Sequence, residues 1–215
     1  MGILWKPEVK LISITPNAEE LIEKAYRNCW QSKPSSTIRA RRAFIKKCIS
    51  LGHLSPLEFA FAVFEIVGSR VYTHQQVRHR IASYAQESQR HVTVQDKDYI
   101  VVPPSIQENQ EALQIFLEVV ETTWRTYQSL LALGIKKEDA RYILPQAVKS
   151  RILVGMNFRS WRHFLKLRCD KTAQWEIREI SLEILKILYQ HAPGVFEDLY
   201  LKFILQKGEL WTESD

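Results

Sequence analysis

Residues 74–91 crowd hydrogen-bonding side chains between two apolar segments of the sequence. Arg78, Arg80 and Arg90 carry permanently charged, forked donors, and the serines and glutamines among them add neutral ones. No packing argument explains so many hydrogen-bonding groups in one segment, so we interpret it as the chemical centre of the chain. Its donors suit phosphate oxygens and the edges of bases, and the expected ligand is anionic. Charge alone leaves a second interpretation open, a solvated basic helix face followed by a polar loop.

The composition of the chain agrees with an anionic ligand. Its 215 residues carry a formal net charge of +6, which favours nucleotides, phosphorylated cofactors or nucleic acid as partners. The length suits a single domain over residues 1–215. The three cysteines include no Cys-x-x-Cys pair, so we predict no metal site and no disulfide framework, which fits a reducing cytoplasm. We expect neither a signal peptide nor membrane association, because no apolar run is long enough.

Hydrophobic spacing predicts the elements around the polar stretch. Apolar runs predict strands over residues 9–14, 59–67 and 147–156. Apolar residues at three- and four-residue spacing predict one long amphipathic helix that runs from Leu113 to Gly134. The Arg78 to Arg80 segment would lie on a further helix, where two residues at this spacing face opposite sides, about 200° apart.

Two helices are predicted before residue 52. Asn17 and Glu20 resemble a capping box at the start of the first. The spacing places Cys29 on the core side of the first helix, and Ile38 and Cys48 on the core side of the second. The arginines and lysines of the second helix face outward, where solvent, a nucleotide tail or an acidic neighbouring subunit could meet them.

The order of residues in the polar stretch resembles the signature of the flavin-dependent (alternative) thymidylate synthases. That signature is Arg-His-Arg, a serine three residues later, and then Ser-x-Arg. The matching residues are Arg78, His79, Arg80, Ser83, Ser88 and Arg90. The family often has Asn-Glu where this chain has Ala-Gln at positions 85 and 86. At position 86 a backbone or glutamine contact therefore replaces one that needs a glutamate carboxylate.

Two further segments match the same family. Residues 52–58 follow its Gly-His-x-Thr/Ser-Pro-x-Glu turn. In residues 157–168, Asn157 and Arg159 match its Asn-x-Arg. His163 matches the Asn or His that follows in the family, and Arg168 matches the Arg five residues further. Residues 173–176 then read Ala-Gln-Trp-Glu, as the family does. The resemblance therefore extends from residue 52 to residue 176.

The resemblance implies an α+β fold, with helices flanking an antiparallel sheet, and an enzyme that converts dUMP to dTMP. It implies 5,10-methylenetetrahydrofolate as carbon donor, FAD as cofactor and NADPH as reductant, in a homotetramer with active sites between subunits. The matching flavin positions are His53, Ser55, Arg78, His79, Arg80, Gln86, Asn157, Arg159 and His163. The matching nucleotide positions are Gln75, Arg78, Gln86, Ser88, Arg90, Arg141 and Arg168.

The residues themselves indicate how such ligands could be held. The sequence contains no Gly-x-Gly-x-x-Gly loop, so a flavin diphosphate would be bound by side chains. Charge-assisted hydrogen bonds from arginine contribute about 1.5 to 3 kcal/mol each, so a few suffice. If residues 157–168 are helical, one face could present Arg159, Arg162 and His163. Arg168 is the expected catalytic residue, because it could stabilise negative charge on the uracil ring as N3 loses proton character, making C5 more nucleophilic.

Cysteine catalysis is the alternative chemistry, used by the classical thymidylate synthase, and it needs a thiol of lowered pKa. Cys169, beside Arg168, is the only thiol with an activating neighbour, but no family position asks for it, so we predict no protein nucleophile. Two other functions stay open, a non-catalytic module that binds RNA or single strands and a flavoprotein of the same fold acting on another nucleotide. Tyr84 is the only aromatic residue in the central motif, which weakens the case for the nucleic-acid module.

Overall fold

A four-stranded antiparallel sheet lies in the part of the protein, residues 8–94 and 100–205, that a computed structural model describes. Its strands are β1 (Glu8–Ile14), β2 (Phe61–Ser69), β3 (Ser83–Gln86) and β4 (Lys149–Asn157). They are ordered β1-β2-β4-β3, so β4, the last of these four strands in the sequence, lies between β2 and β3. The mixture of helices with this sheet confirms the predicted α+β class.

Nine α-helices accompany the sheet within the described residues. They are α1 (Ala18–Trp30), α2 (Ile38–Ser50), α3 (Arg70–Gln76), α4 (Pro104–Gln107), α5 (Gln110–Ala132), α6 (Lys137–Ala140), α7 (Phe158–Arg168), α8 (Trp175–His191) and α9 (Pro193–Phe203). Short 3₁₀ helices occupy Ser55–Phe59 and Arg141–Ile143. The predicted long amphipathic helix is α5, and Gly134 follows it at φ 82°, a conformation that glycine adopts without strain. No helix of the described part of the chain is long and apolar enough to span a membrane.

The described chain divides into two compact units. The first contains residues 8, 67–77, 85–94 and 100–152, and the second contains residues 9–66, 78–84 and 153–205. The core of the first unit includes Ile100, Val102, Val120 and Val148, and Trp124 of α5 packs against it. The single domain over residues 1–215 stays a prediction.

The core of the second unit is built around α7. Phe158, Trp161 and Phe164 recur at three-residue spacing on this helix, and all three are fully buried. Trp161 packs edge to face against Phe64 with ring centroids 5.2 Å apart, a geometry that adds about 0.5 to 1.5 kcal/mol to the burial of apolar area. The indole N–H of Trp161 also donates to the carbonyl of Ala62 at 3.1 Å, so α7 is fixed against the start of β2.

Carboxylates pair with three of the five cations on the basic face of α2. Glu23 on α1 is 1% exposed and accepts from Arg27, Arg41 and the Ser35 backbone at 2.7, 3.0 and 2.9 Å. Burial alone would raise the pKa of Glu23, but the hydrogen bonds from Ser35, Arg27 and Arg41 lower it to about 2. The further pairs on this face are Arg42 with Glu19 and Lys46 with Glu197. These cations are therefore occupied by carboxylates of their own unit.

Three predictions about the first two helices are wrong. Asn17 has a left-handed backbone, with φ 49°, and its side chain makes no capping hydrogen bond. Cys29 is exposed, and Ile38 is 60% exposed. Cys29 lies one residue before the end of α1 and Ile38 is the first residue of α2, so both occupy terminal turns beyond the part that each helix buries. The prediction that Cys48 is buried is confirmed.

Candidate active site

A cleft of about 880 Å³ in the second unit is formed by three segments of its chain. These are the turn after α2, the loop that precedes β3, and the junction of β4 with α7. The charged side chains that line it are Glu58, Arg78, Arg80, Arg159, Arg162, Lys166 and Arg168. Because arginines outnumber the single carboxylate among these described lining residues, the cleft suits an anionic ligand, and its volume is in the range of cofactor sites.

No loop separates β4 from α7 at this cleft. The strand ends at Asn157 and the helix begins at Phe158. Asn157 caps α7, because its Oδ1 accepts a hydrogen bond from the Ser160 backbone N–H at 2.8 Å, an interaction typically worth about 1 kcal/mol. The side-chain NH₂ of Asn157 is not used by this cap and can donate in the predicted flavin contact. The buried aromatic face of α7 leaves Arg159 and His163 exposed on the other side.

The Arg-His-Arg element lies in a loop and not on a helix. Helix α3 ends at Gln76, and the chain then turns toward β3. The predicted helical placement of Arg78 and Arg80 is wrong, because this polar segment offers no apolar face for a helix to bury. Both arginines are exposed and line the cleft, and neither has a hydrogen-bond or ion-pair partner among the described residues.

His79 and Arg168 meet inside the cleft. The Nε–H of Arg168 donates to Nε2 of His79 at 3.0 Å. The ring of Phe164 packs against the imidazole with centroids 4.9 Å apart. Burial, and then the nearby Arg168 and His163, lower the pKa of His79 to about 4. His79 is therefore neutral near neutral pH.

The lowered pKa of His79 predicts a pH dependence of stability. Its ordinary value is 6.5, so between that pH and about 4 the unfolded chain binds a proton here that the folded protein does not bind. The free energy of unfolding therefore falls as the pH falls through this window, by at most about 1.4 kcal/mol per pH unit from this group. We expect urea unfolding to show a smaller acid loss for His79→Gln than for the unchanged protein. Equal losses in the two proteins would contradict the assignment.

The structure divides the three α7 residues that were expected on one face. Arg159 and His163 are exposed, and Arg159 donates to Glu58 at 2.6 Å. Arg162 is 3% exposed and forms a fork with both carboxylate oxygens of Asp198 on α9, at 2.7 and 2.5 Å. The expectation is wrong for Arg162, because its guanidinium is buried with a carboxylate and is not left for a ligand. Sequence reasoning assigned no role to Glu58, although it lies in the matched turn, and nothing in the sequence spacing marks Asp198.

The turn after α2 places its two predicted flavin residues at the surface. His53 and Ser55 are exposed, whereas Leu57 from the same turn lines the cleft. The carbonyl of His53 accepts a hydrogen bond from the Tyr26 hydroxyl at 2.5 Å. The imidazole of His53 contacts the ring of Trp30, with ring centroids 6.1 Å apart. The conformation of the turn is thus set by α1.

Most of the predicted nucleotide residues belong to the first unit. These are Gln75, Gln86, Ser88, Arg90 and Arg141, while Arg78 and Arg168 belong to the second unit. Glu138 connects two of them, because its carboxylate pairs with Arg90 at 2.6 Å and its carbonyl accepts from Arg141 at 3.0 Å. Ser88 accepts the backbone N–H of Arg90 at 3.3 Å. The structure therefore gathers Ser88, Arg90 and Arg141 within this unit, and Glu138 was missed from the sequence.

Gln86, where the chain departs from the family, is bound inside the first unit. Its Nε2 donates to the hydroxyls of Thr73 and Ser150 at 3.1 and 2.9 Å. Both hydroxyl residues are buried. The amide nitrogen is thereby used, and the oxygen of Gln86 is what remains for a ligand.

No cysteine is placed to act as a nucleophile. Burial raises the pKa of the Cys169 thiol to about 12 in spite of Arg178 nearby, and burial also raises the pKa of Cys48. Cys29 is exposed on α1 and does not line the cleft. Within residues 8–94 and 100–205, no three His, Cys, Asp or Glu side chains gather in a way that could hold a metal ion.

This chain is similar to one family model and to several known proteins. The family model described as thymidylate synthase complementing protein matches residues 10–194. A flavin-dependent thymidylate synthase of Geobacter sulfurreducens is 40% identical over 199 residues, which cover 89% of this chain and 86% of the relative. Enzymes of the same name from Nitratidesulfovibrio vulgaris and Mycobacterium avium are 38% and 37% identical, covering 90% and 97% of this chain and 90% of each relative. These names favour the enzyme over the nucleic-acid-binding module.

Proposed function

The chain belongs to the flavin-dependent thymidylate synthase family, and on that basis we propose that it methylates dUMP reductively to dTMP. The carbon comes from 5,10-methylenetetrahydrofolate. When bound, FAD that has been reduced by NADPH supplies the hydride. The observation that carries the proposal is the arginine-lined cleft in which Arg168 is held by a neutral histidine.

The residues of the cleft fit FAD. A flavin diphosphate is anionic, and Arg78 and Arg80 offer forked donors that no described residue occupies. Arg159 adds a third, which shares its charge with Glu58 at the same wall. The sequence has no glycine-rich phosphate loop, so side-chain donors of this kind are what the ligand requires. We assign the flavin contacts of this unit to His53, Ser55, Arg78, His79, Arg80, Asn157, Arg159 and His163.

Arg168 is the proposed catalytic residue. Its hydrogen-bond partner within the described chain is His79, which is neutral, so no carboxylate cancels the charge of the guanidinium. This charge stabilises the negative charge that the uracil ring acquires as N3 loses proton character, and C5 becomes more nucleophilic. Because the thiol of Cys169 is held protonated by burial, no residue is assigned as a covalent nucleophile.

We assign recognition of the nucleotide to the positions that match the family, with the 5′-phosphate bound by Ser88 and Arg90 of the first unit. The other residues that the resemblance gives for nucleotide contacts are Gln75, Arg78, Gln86 and Arg141. Arg90 is 63% exposed at its side chain, so an anion can reach it from solvent. Glu138 already pairs with the guanidinium of this arginine, and the backbone N–H of Arg90 donates to the hydroxyl of Ser88.

Replacing Arg90 with alanine is expected to weaken dUMP binding about 10- to 100-fold, the loss of one charge-assisted hydrogen bond to phosphate. The affinity for FAD should stay the same. Calorimetric titration with dUMP and flavin fluorescence measure the two separately. Arg125→Ala is the matched control, since Arg125 is exposed and pairs with Glu121 on α5 in the same way. An unchanged dUMP affinity, or an equal loss of flavin, would overturn the assignment of Arg90.

The function is tested first by the visible absorbance of the purified protein with FAD, followed by dUMP. Bound flavin whose spectrum changes on addition of dUMP is the expected result, and UMP and dTMP serve as comparisons for nucleotide choice. Formation of dTMP from labelled dUMP, folate donor and NADPH then measures the reaction. A protein that takes up no flavin, or whose flavin responds equally to UMP and dUMP, would contradict the proposal.

We also propose a cytoplasmic homotetramer with active sites at subunit interfaces. The family resemblance supports the assembly, and α5 leaves Ile115 and Val119 more than half exposed, at 58% and 57%. The odd number of cysteines, with no Cys-x-x-Cys pair among them, supports a reducing compartment. Sedimentation equilibrium of the purified protein tests the assembly, and a monomer at working concentration would refute it.

A further inference from the structure

The contact between His79 and Arg168 determines where the histidine ring carries its proton. A guanidinium has donors and no acceptor, so at 3.0 Å the Nε2 of His79 must be the acceptor. That nitrogen is therefore unprotonated, and the proton of the neutral ring is on Nδ1. The identity of the tautomer follows from the partner alone.

His79 is itself held by two contacts within the second unit. The hydroxyl of Tyr84 donates to the carbonyl of His79 at 2.7 Å, which fixes the backbone of the loop. The fully buried ring of Phe164 meets the imidazole at 78° with centroids 4.9 Å apart, which fixes the side chain. An acceptor fixed in this way can orient the group that donates to it.

The choice of a neutral acceptor matters for Arg168. The hydrogen bond uses Nε of the guanidinium, while its two Nη groups have no hydrogen-bond partner in the part of the chain that the structure describes. A carboxylate at the position of His79 would orient the arginine equally well but would cancel its charge. A neutral imidazole orients it and leaves the full positive charge for the ligand.

We propose that His79 is a positioning residue for Arg168, which keeps the guanidinium oriented with both Nη groups available to the uracil of dUMP and does not neutralise it. The inference rests on the proposed function and goes beyond the flavin contact assigned to His79. It treats the histidine as acting on the reaction through Arg168.

A double-mutant cycle tests whether His79 acts through Arg168. The proteins are His79→Leu, Arg168→Ala and the combination, each assayed with saturating FAD and with rates expressed per bound flavin. Misplacement of a catalytic group by about 1 Å costs on the order of 100-fold, so His79→Leu should lower kcat by about that factor with a smaller change in KM for dUMP. In the Arg168→Ala background the same substitution should have little further effect. Independent losses that multiply in the double variant would overturn the proposal.

A conservative variant separates positioning from packing. His79→Gln can place its side-chain oxygen near the former Nε2, so it should recover most of the kcat that His79→Leu loses. Equal losses in the two variants would overturn the acceptor role. His191→Leu, on the exposed end of α8 and outside the cleft, is the matched control for removal of a histidine.

A measurement on the ligand-free protein keeps this inference distinct from the proposed function. Nitrogen NMR with labelled histidine should show an unprotonated Nε2 at His79, and its resonance should shift in Arg168→Ala. A proton on Nε2, or no shift, would overturn the inference whatever the enzyme catalyses. If the unchanged protein made no dTMP while the resonance behaved as expected, the proposed function would fail and the pairing would stand.

Discussion

Replacing Arg168 with alanine is expected to lower the turnover number for dTMP formation by about 100- to 1,000-fold, as removal of one donor that stabilises developing negative charge does in other enzymes. The guanidinium is the charged group that the neutral His79 orients in the cleft. Its loss removes the positive charge that makes deprotonation at N3 favourable. Single-turnover kinetics with preloaded flavin and dUMP would separate this effect from binding.

The free energy of unfolding should change little in Arg168→Ala, because Arg168 is only partly buried and its described hydrogen bond is to an imidazole. Arg168→Lys should give an intermediate rate, since lysine restores charge but not the forked geometry. Lys171→Ala is the matched control, an exposed cation three residues further along the chain. Turnover that survived in Arg168→Ala would show that the charge is supplied by another group.

Replacing Asp198 with alanine is expected to destabilise the protein by about 3 kcal/mol, because it leaves the buried guanidinium of Arg162 without its carboxylate. Asp198 is 25% exposed, which places the effect near the lower end of the range for broken buried pairs. For a chain of 215 residues this corresponds to a fall in Tm of about 6 to 12 °C. Urea denaturation of the flavin-free protein measures the free energy directly.

Two comparisons make the Asp198 result specific. Glu183→Ala breaks the exposed pair with Lys186 on α8 and should cost about 0.5 kcal/mol or less. A combined replacement, Arg162→Met with Asp198→Leu, removes both charges and should be less destabilising than Asp198→Ala alone. A single variant as stable as the unchanged protein would mean that solvent reaches Arg162 in solution.

Periodicity predicted the elements that bury apolar faces and failed where no such face exists. The three- and four-residue repeat that begins at Leu113 placed α5 correctly. The Arg78 to Arg80 segment was assigned to a helix and is a loop, because its conformation is set by the path of the chain between α3 and β3. Local spacing contains no information about that path.

The sequence predicted only part of the candidate site, because the pairing of its charged residues depends on the tertiary fold. The motifs identified donors such as Arg159 and Arg90, but they did not identify the carboxylates, Glu58 and Glu138, that pair with them. Ion pairs between distant positions depend on the tertiary fold. Arg162 shows the limit most clearly, since its spacing suggested a ligand contact while its partner on α9 makes it part of the core.

The direct passage from β4 into α7 ties the rotational setting of the helix to the register of the sheet. One residue inserted after Asn157 would turn every following side chain of α7 by about 100° and advance it by about 1.5 Å. Such a change would break the contact of Trp161 with the Ala62 carbonyl on β2. It would also move Arg159 and Arg168 out of the cleft. The chain can therefore vary in length within its surface turns but not at this junction. A single residue added here would disrupt the packing of the core and the placement of the cleft arginines at the same time.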